Sequence, residues 1–138
     1  MEADGARRRL EEQLREIGIP YGIDRDGDIA IPYANTTTFL RAFDQAGRPV
    51  VKIWAITNVD VPISDELTRF LLTENATLAF GGFQADESGR VGFSHTLLGG
   101  ELLQRRELET ALTVVVATAD RYNDVIKARF GGKRFGES

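Results

Sequence analysis

Cysteine is absent from this 138-residue chain, histidine occurs once, as His95, and no hydrophobic run approaches the length of a membrane span. The missing cysteines exclude disulfides, thiolate nucleophiles and every zinc site built on sulfur. A lone histidine excludes multi-histidine metal sites and leaves one conventional general base to weigh. The apolar run from Val114 to Ala117 falls far short of the ~20 residues that cross a bilayer. Positive charge is also in short supply: 17 Lys and Arg against 21 Asp and Glu give a net charge of −4. Nothing in that balance favours nucleic acid. The three arginines at 7–9 have no apolar stretch behind them and sit among Glu2, Asp4, Glu11, Glu12 and Glu16, which reads as a solvated helix face and not a secretory signal. The expectation is a cytoplasmic protein without a membrane segment.

What is present reads as alternating periodicities. Ala3, Ala6, Leu10, Leu14 and Ile17 form one stripe at helical spacing, closed by Gly18 and Pro20. From Tyr21 the period becomes two. Tyr21 to Asp24 and Asp28 to Tyr33 read as short strands around Arg25-Asp26-Gly27, followed by strands from Thr37 to Phe43 and from Val50 to Val59. Ser64 is a natural N-cap, with Asp65 and Glu66 suited to a helix's first turn. That helix buries Leu67, Phe70 and Leu71 and ends near Asn75. Leu78 to Ala85 and Val91 to Leu98 form a hairpin, and the pair Gly81-Gly82 inside it signals a bulge or a close backbone approach. Leu108, Leu112, Val115, Ala119, Tyr122 and Ile126 lie on one seam of a long last helix, stopped by Gly131-Gly132. The predicted class is α+β, with a mostly antiparallel sheet in the order helix, four strands, helix, two strands, helix. Residues 1–132 form a single domain in this reading, and 133–138 a loose tail.

The chemistry-bearing residues find bland roles. His95 alternates with Val91, Phe93 and Leu97, so it points with apolar side chains and reads as a histidine at a core edge or an interface. Asp24, Asp26 and Asp28 resemble the start of a calcium loop. The glycine falls at the fourth position and Asn35 at the twelfth, where the loop needs the sixth and a bidentate Glu. The segment is a turn. Neither Ser88 nor Ser94 lies in a nucleophile elbow, and the glycine pairs at 81, 99 and 131 do not make a phosphate loop. No catalytic, cofactor or metal residues are assigned.

The strand from Val50 breaks the pattern of a one-sided sheet. Val51, Ile53, Ala55 and Thr57 form one face, yet the other holds Val50, Lys52, Trp54, Ile56 and Asn58, including the only tryptophan. Phe39 and Phe43 on the preceding strand face one way, Leu40 and Ala42 the other. Apolar matter on both faces calls for cover on both. Either the helices split across the sheet, or a second copy or a client peptide supplies the cover.

Leu71-Leu72-Thr73-Glu74-Asn75-Ala76, Phe83-Gln84-Ala85-Asp86, Gly89-Arg90-Val91, the segment from Leu108 to Asp120, Tyr122-Asn123-Asp124 and Phe130-Gly131-Gly132 together resemble the YbjN family. That family is described as bacterial sensory transduction regulators with a fold like that of type III secretion chaperones. The resemblance spans about residues 20 to 132. It implies a curved antiparallel sheet, a homodimer, binding of extended client segments on apolar strand and helix surfaces, and no catalytic residues.

The expected function is therefore a non-enzymatic, chaperone-like or regulatory protein-binding module. It would act as a homodimer that holds a client polypeptide, with Phe39, Trp54 and Ile56 as partner-binding residues and strand-edge hydrogen bonds adding affinity. The competing reading is a small-ligand sensor or an enzyme, with a pocket between the sheet and the last helix near His95 and Tyr122.

Overall fold

The structure is a computed structural model that describes residues 3–33 and 36–137, with the backbone alone at residues 3 and 4. The side chain of Ala3, and Asn35 and Ser138, lie outside the described residues. Helix α1 (Ala3–Ile17) buries Ala6, Leu10 and Leu14, one side of its periodic stripe. Gly18 ends it at φ 86°, a left-handed value that glycine adopts without a Cβ clash. Strands β1 (Gly22–Ile23), β2 (Ile29–Tyr33), β3 (Thr36–Gln45) and β4 (Arg48–Val59) follow as an antiparallel series. The turn after β1 is held by Asp24, whose Oδ1 accepts from the backbone N–H of Asp26 and of Asp28.

Helix α2 (Asp65–Thr77) starts where Ser64 accepts from the Leu67 N–H at 3.1 Å, as its capping role requires. Strands β5 (Gly82–Ala85) and β6 (Val91–Leu98) form the second hairpin. A 3-10 turn at Gly100–Leu102 leads into α3 (Arg105–Phe130), whose six seam residues are all buried. The Leu, Val and Ile side chains among them each contribute ~1.5–3 kcal/mol by leaving water, which outweighs the helix penalty of the β-branched run at 114–116. A last short strand, β7 (Lys133–Arg134), pairs with β4. The sheet order is β1-β2-β3-β4-β6-β5, every described pairing is antiparallel, and β7 lies off this path. The class is α+β, as the periodicities imply.

Two expectations need correction. The first strand of the second hairpin begins at Gly82 and not at Leu78, because Gly81 takes φ 74° and turns the chain into the sheet. Residues 133–137 are not a loose tail. Lys133 and Arg134 pair with Val59 and Asn58, the Phe135 N–H donates to the Thr57 carbonyl at 3.0 Å, and Lys127 pairs with Glu137.

The helices do not split across the sheet. Leu40, Ile53, Ala55 and Phe93 form one cluster with Leu10 and Leu14 of α1, Leu67 and Leu71 of α2, and the α3 seam. Among the described residues, that cluster and the side chains packed against it include none of Phe39, Phe43, Trp54 and Ile56. These occupy the opposite, outer face.

Candidate functional site

The outer face is assembled by strand register. Phe39 of β3 lies directly opposite Trp54 of β4, so period-two alternation places both rings on the same side. The rings stack at 5.6 Å between centroids. Ile56 follows on the same side of β4, opposite Gly92 of β6. The structure therefore brings all three sequence-selected residues onto one surface, each partly exposed.

Cations frame the tryptophan. The Arg41 guanidinium lies 5.6 Å and the Lys52 ammonium 5.5 Å from its ring centroid, within reach of the ring's negative face. Arg41 donates two hydrogen bonds to the Asp28 carboxylate, at 2.6 and 2.7 Å, so the acid fixes its position. A groove of about 190 Å³ runs between Trp54, Ile56, Gln84, Arg90 and Gly92. Gly92 leaves its floor low, since a Cβ there would stand 3.1 Å from the Ala55 carbonyl. This surface offers flat aromatic area, a narrow slot and charges of both signs at the rim, Lys52 and Arg90 together with Asp86. Ser94, opposite Trp54 on β6, donates its hydroxyl to the Gln84 side chain at 2.8 Å.

One contributor escaped sequence reading. The Phe135 ring meets Phe39 edge-on at 6.1 Å and extends the patch. The signal that could have found it is the aromatic after Lys133-Arg134, directly behind the glycine pair. That arrangement suits a turn followed by an added strand.

The acidic triplet is spoken for. Carboxylate oxygens of Asp24, Asp26 and Asp28 come within 4.8 Å of one another. Asp28 is engaged by Arg41 through both oxygens, and Asp24 holds the turn.

His95 and Tyr122 meet different partners. The imidazole of His95 stacks on Phe80 at 3.7 Å. The Tyr122 hydroxyl donates to Glu74 at 2.6 Å, and its ring packs against Phe70 and Phe83. Burial holds the His95 pKa below its ordinary value, so the unfolded chain takes up that proton first as pH falls. The stability His95 contributes is present above the unfolded imidazole value of about 6.5 and is lost as pH drops below it. Thermal midpoints of the wild type and His95→Phe at about pH 7.5 and pH 5.5 check this. The wild type should lose more on acidification than the variant; equal losses would remove His95 from the pH response.

The comparisons with known proteins meet this geometry. A family model described as "TY-Chap1: T3SS (YopN, CesT) and YbjN peptide-binding chaperone 1" matches residues 4–138. Among solved structures, the ExsC–ExsE complex is similar at TM-score 0.67 and 21% identity, covering 91% of this chain and 97% of that one. The Yersinia pestis type III secretion chaperone SycH, in complex with a stable fragment of YscM2, gives 0.59 and 15%, over 84% and 98%. YbjN from E. coli gives 0.54 and 13%, over 85% of both chains. Among curated proteins none matches. Among the described residues no helix is long and apolar enough to cross a membrane.

Proposed function

The chain belongs to the TY-Chap1 family of T3SS and YbjN peptide-binding chaperones, and from that premise we propose that it binds an extended client polypeptide on the outer face of its sheet. The observation that carries the reading is the Phe39–Trp54 stack with Ile56 beside it, apolar and partly exposed on the face turned away from the helices. Rigid aromatic surface gains much by burial and loses little side-chain entropy, which is why tryptophan dominates binding hot spots. Lys52 and Arg90 at the groove rim complement acidic groups on a client, and Asp86 beside them a basic one. SycH, similar in fold, is seen with a fragment of YscM2, which supports a polypeptide as the occupant. The reading is of a non-enzymatic module.

Self-association is assigned to a different surface. Leu72 of α2 is 65% exposed and Ile63 just before the helix 49%. Both border a depression that reaches Phe83 of β5. Two copies meeting there would bury these side chains and leave both outer faces free for clients.

One paired experiment tests both assignments. Trp54→Asp should lose more than about tenfold in polypeptide captured from the native lysate, identified by mass spectrometry, with far-UV circular dichroism unchanged. Leu72→Asp should leave capture intact and reduce the mass in solution from twice 15.3 kDa to the single chain. Capture of the same polypeptides by Trp54→Asp would overturn the client site. A wild-type monomer would overturn the dimer.

A further inference from the structure

The client face already has an occupant. β4 outruns β3, whose last partner on it is Ala55 opposite Thr38. On the stretch of β4 beyond that point lies the chain's own segment from Lys133, antiparallel, with Lys133 opposite Val59 and Arg134 opposite Asn58. The Phe135 N–H continues the ladder to Thr57, and its ring leans on Phe39 of the aromatic stack. A short strand that adds to a sheet and seats an aromatic side chain on a neighbouring apolar patch is the form in which sheets take up peptides.

We propose that residues 133–137 are an intramolecular pseudo-client, a strap that occupies one end of the client face and yields it to an extended segment carrying an aromatic anchor. The proposal rests on the outer-face reading above and names what that face selects. The strap is built to leave. Its ladder has two residue pairs, where β3 and β4 share eight. Its ion pairs, Lys127–Glu137 at 2.7 Å and Arg134–Asp124 at 3.4 Å, involve partly exposed side chains, and such pairs contribute little. Gly131 and Gly132, at φ 90° and 80°, give the hinge that detachment needs. Gly132 also admits close packing, since a Cβ there would meet the Val59 carbonyl at 2.7 Å. A client that pairs with Thr57–Val59 and seats its own ring beside Phe39 replaces the strap's ladder and its ring contact.

The test compares the full chain with a chain ending at Gly132, using as probe a fluorescein-labelled peptide of residues 131–138, Gly-Gly-Lys-Arg-Phe-Gly-Glu-Ser. By fluorescence anisotropy the peptide should bind the shortened chain and bind the full chain about tenfold more weakly, because the tethered copy leaves only a fraction of sites open. The same peptide with alanine in place of its phenylalanine should lose binding to the shortened chain. Should the shortened chain not fold, full-length Phe135→Ala serves instead and should bind the probe more tightly than wild type. Equal affinity for strapped and unstrapped chains, or no binding to either, overturns the strap. If lysate polypeptides bind both chains alike yet still require Trp54, the strap falls and the client site stands. If Trp54→Asp captures normally, the client site falls whatever the peptide does.

Discussion

Gly81→Val is expected to lower stability by about 2–5 kcal/mol, and the thermal midpoint by about 10 °C or more, as read by calorimetry or circular dichroism. Two costs add at this position. Gly81 sits at φ 74°, where a β-branched residue is strained, and a Cβ there would stand 2.6 Å from Phe93 Cζ and 2.7 Å from the Ser94 carbonyl oxygen. Neither neighbour can give way freely. Phe93 is fully buried, with Phe83 edge-on against it at 5.0 Å, and Ser94 is backbone of a central strand. The neighbouring glycine supplies the control. A Cβ on Gly82 would have its nearest contact, the Asn75 side chain, at 3.7 Å. Gly82→Ala should therefore stay within about 2 °C of wild type, as substitutions free of strain and clash do. A Gly81→Val protein that melts like Gly82→Ala would show that the β5–β6 hairpin tolerates a shift of Phe93.

The glycine pair shows what was legible in advance. Its position inside an alternating run marked a close approach before any partner could be named, because glycine reports on backbone geometry locally. The long helix was legible for a similar reason: six residues on one seam admit a single periodicity. The surplus of apolar side chains on the strand from Val50 was readable too, and the structure places Phe39, Trp54 and Ile56 on the face turned away from the helices. Which face the helices cover was not readable, because both faces of β4 carry apolar residues and choosing between them depends on the packing of distant elements. β7 was beyond reach for a stronger reason. A two-residue strand has no period, and what orders it is Phe39, Thr57 and Asn58, far away in the chain.

The motifs that carried the family resemblance turn out to be ties between elements. Glu74 accepts from Tyr122, joining α2 to α3. Asn58 donates to the Asn123 carbonyl from β4, at 2.9 Å. Gly89 takes φ 87° so that its carbonyl accepts from the Val61 N–H, leaving no room for a Cβ 2.6 Å from the Val61 oxygen. Such residues specify a fold, which is why the resemblance spoke to architecture and left the outer face to geometry.

Asn75 is the tie whose loss should be felt most. Its side-chain amide donates to the Phe83 carbonyl at 3.1 Å, and its carbonyl oxygen accepts from the Phe83 N–H at 2.6 Å. In effect it plays the part of one more strand residue beside β5. β5 ends the sheet order and has β6 as its strand partner, so these two backbone groups would otherwise lie on an unpaired edge, next to a phenylalanine that is almost fully buried. Asn75→Ala leaves a donor and an acceptor unmatched at once, and should cost about 2–4 kcal/mol. A merely looser α2 would speed amide exchange along the helix. Removal of this clamp should instead speed it most sharply at the Phe83 amide, with the Thr57 and Asn58 amides on the far side of the sheet unchanged. If Phe83 exchange stays at the wild-type rate, water or a neighbouring group satisfies the edge and the clamp is dispensable. The same geometry bears on self-association. Because Asn75 already pairs with Phe83 on the β5 edge, two copies cannot join at that residue by extending the sheet; the Leu72 and Ile63 contact proposed above needs no such extension.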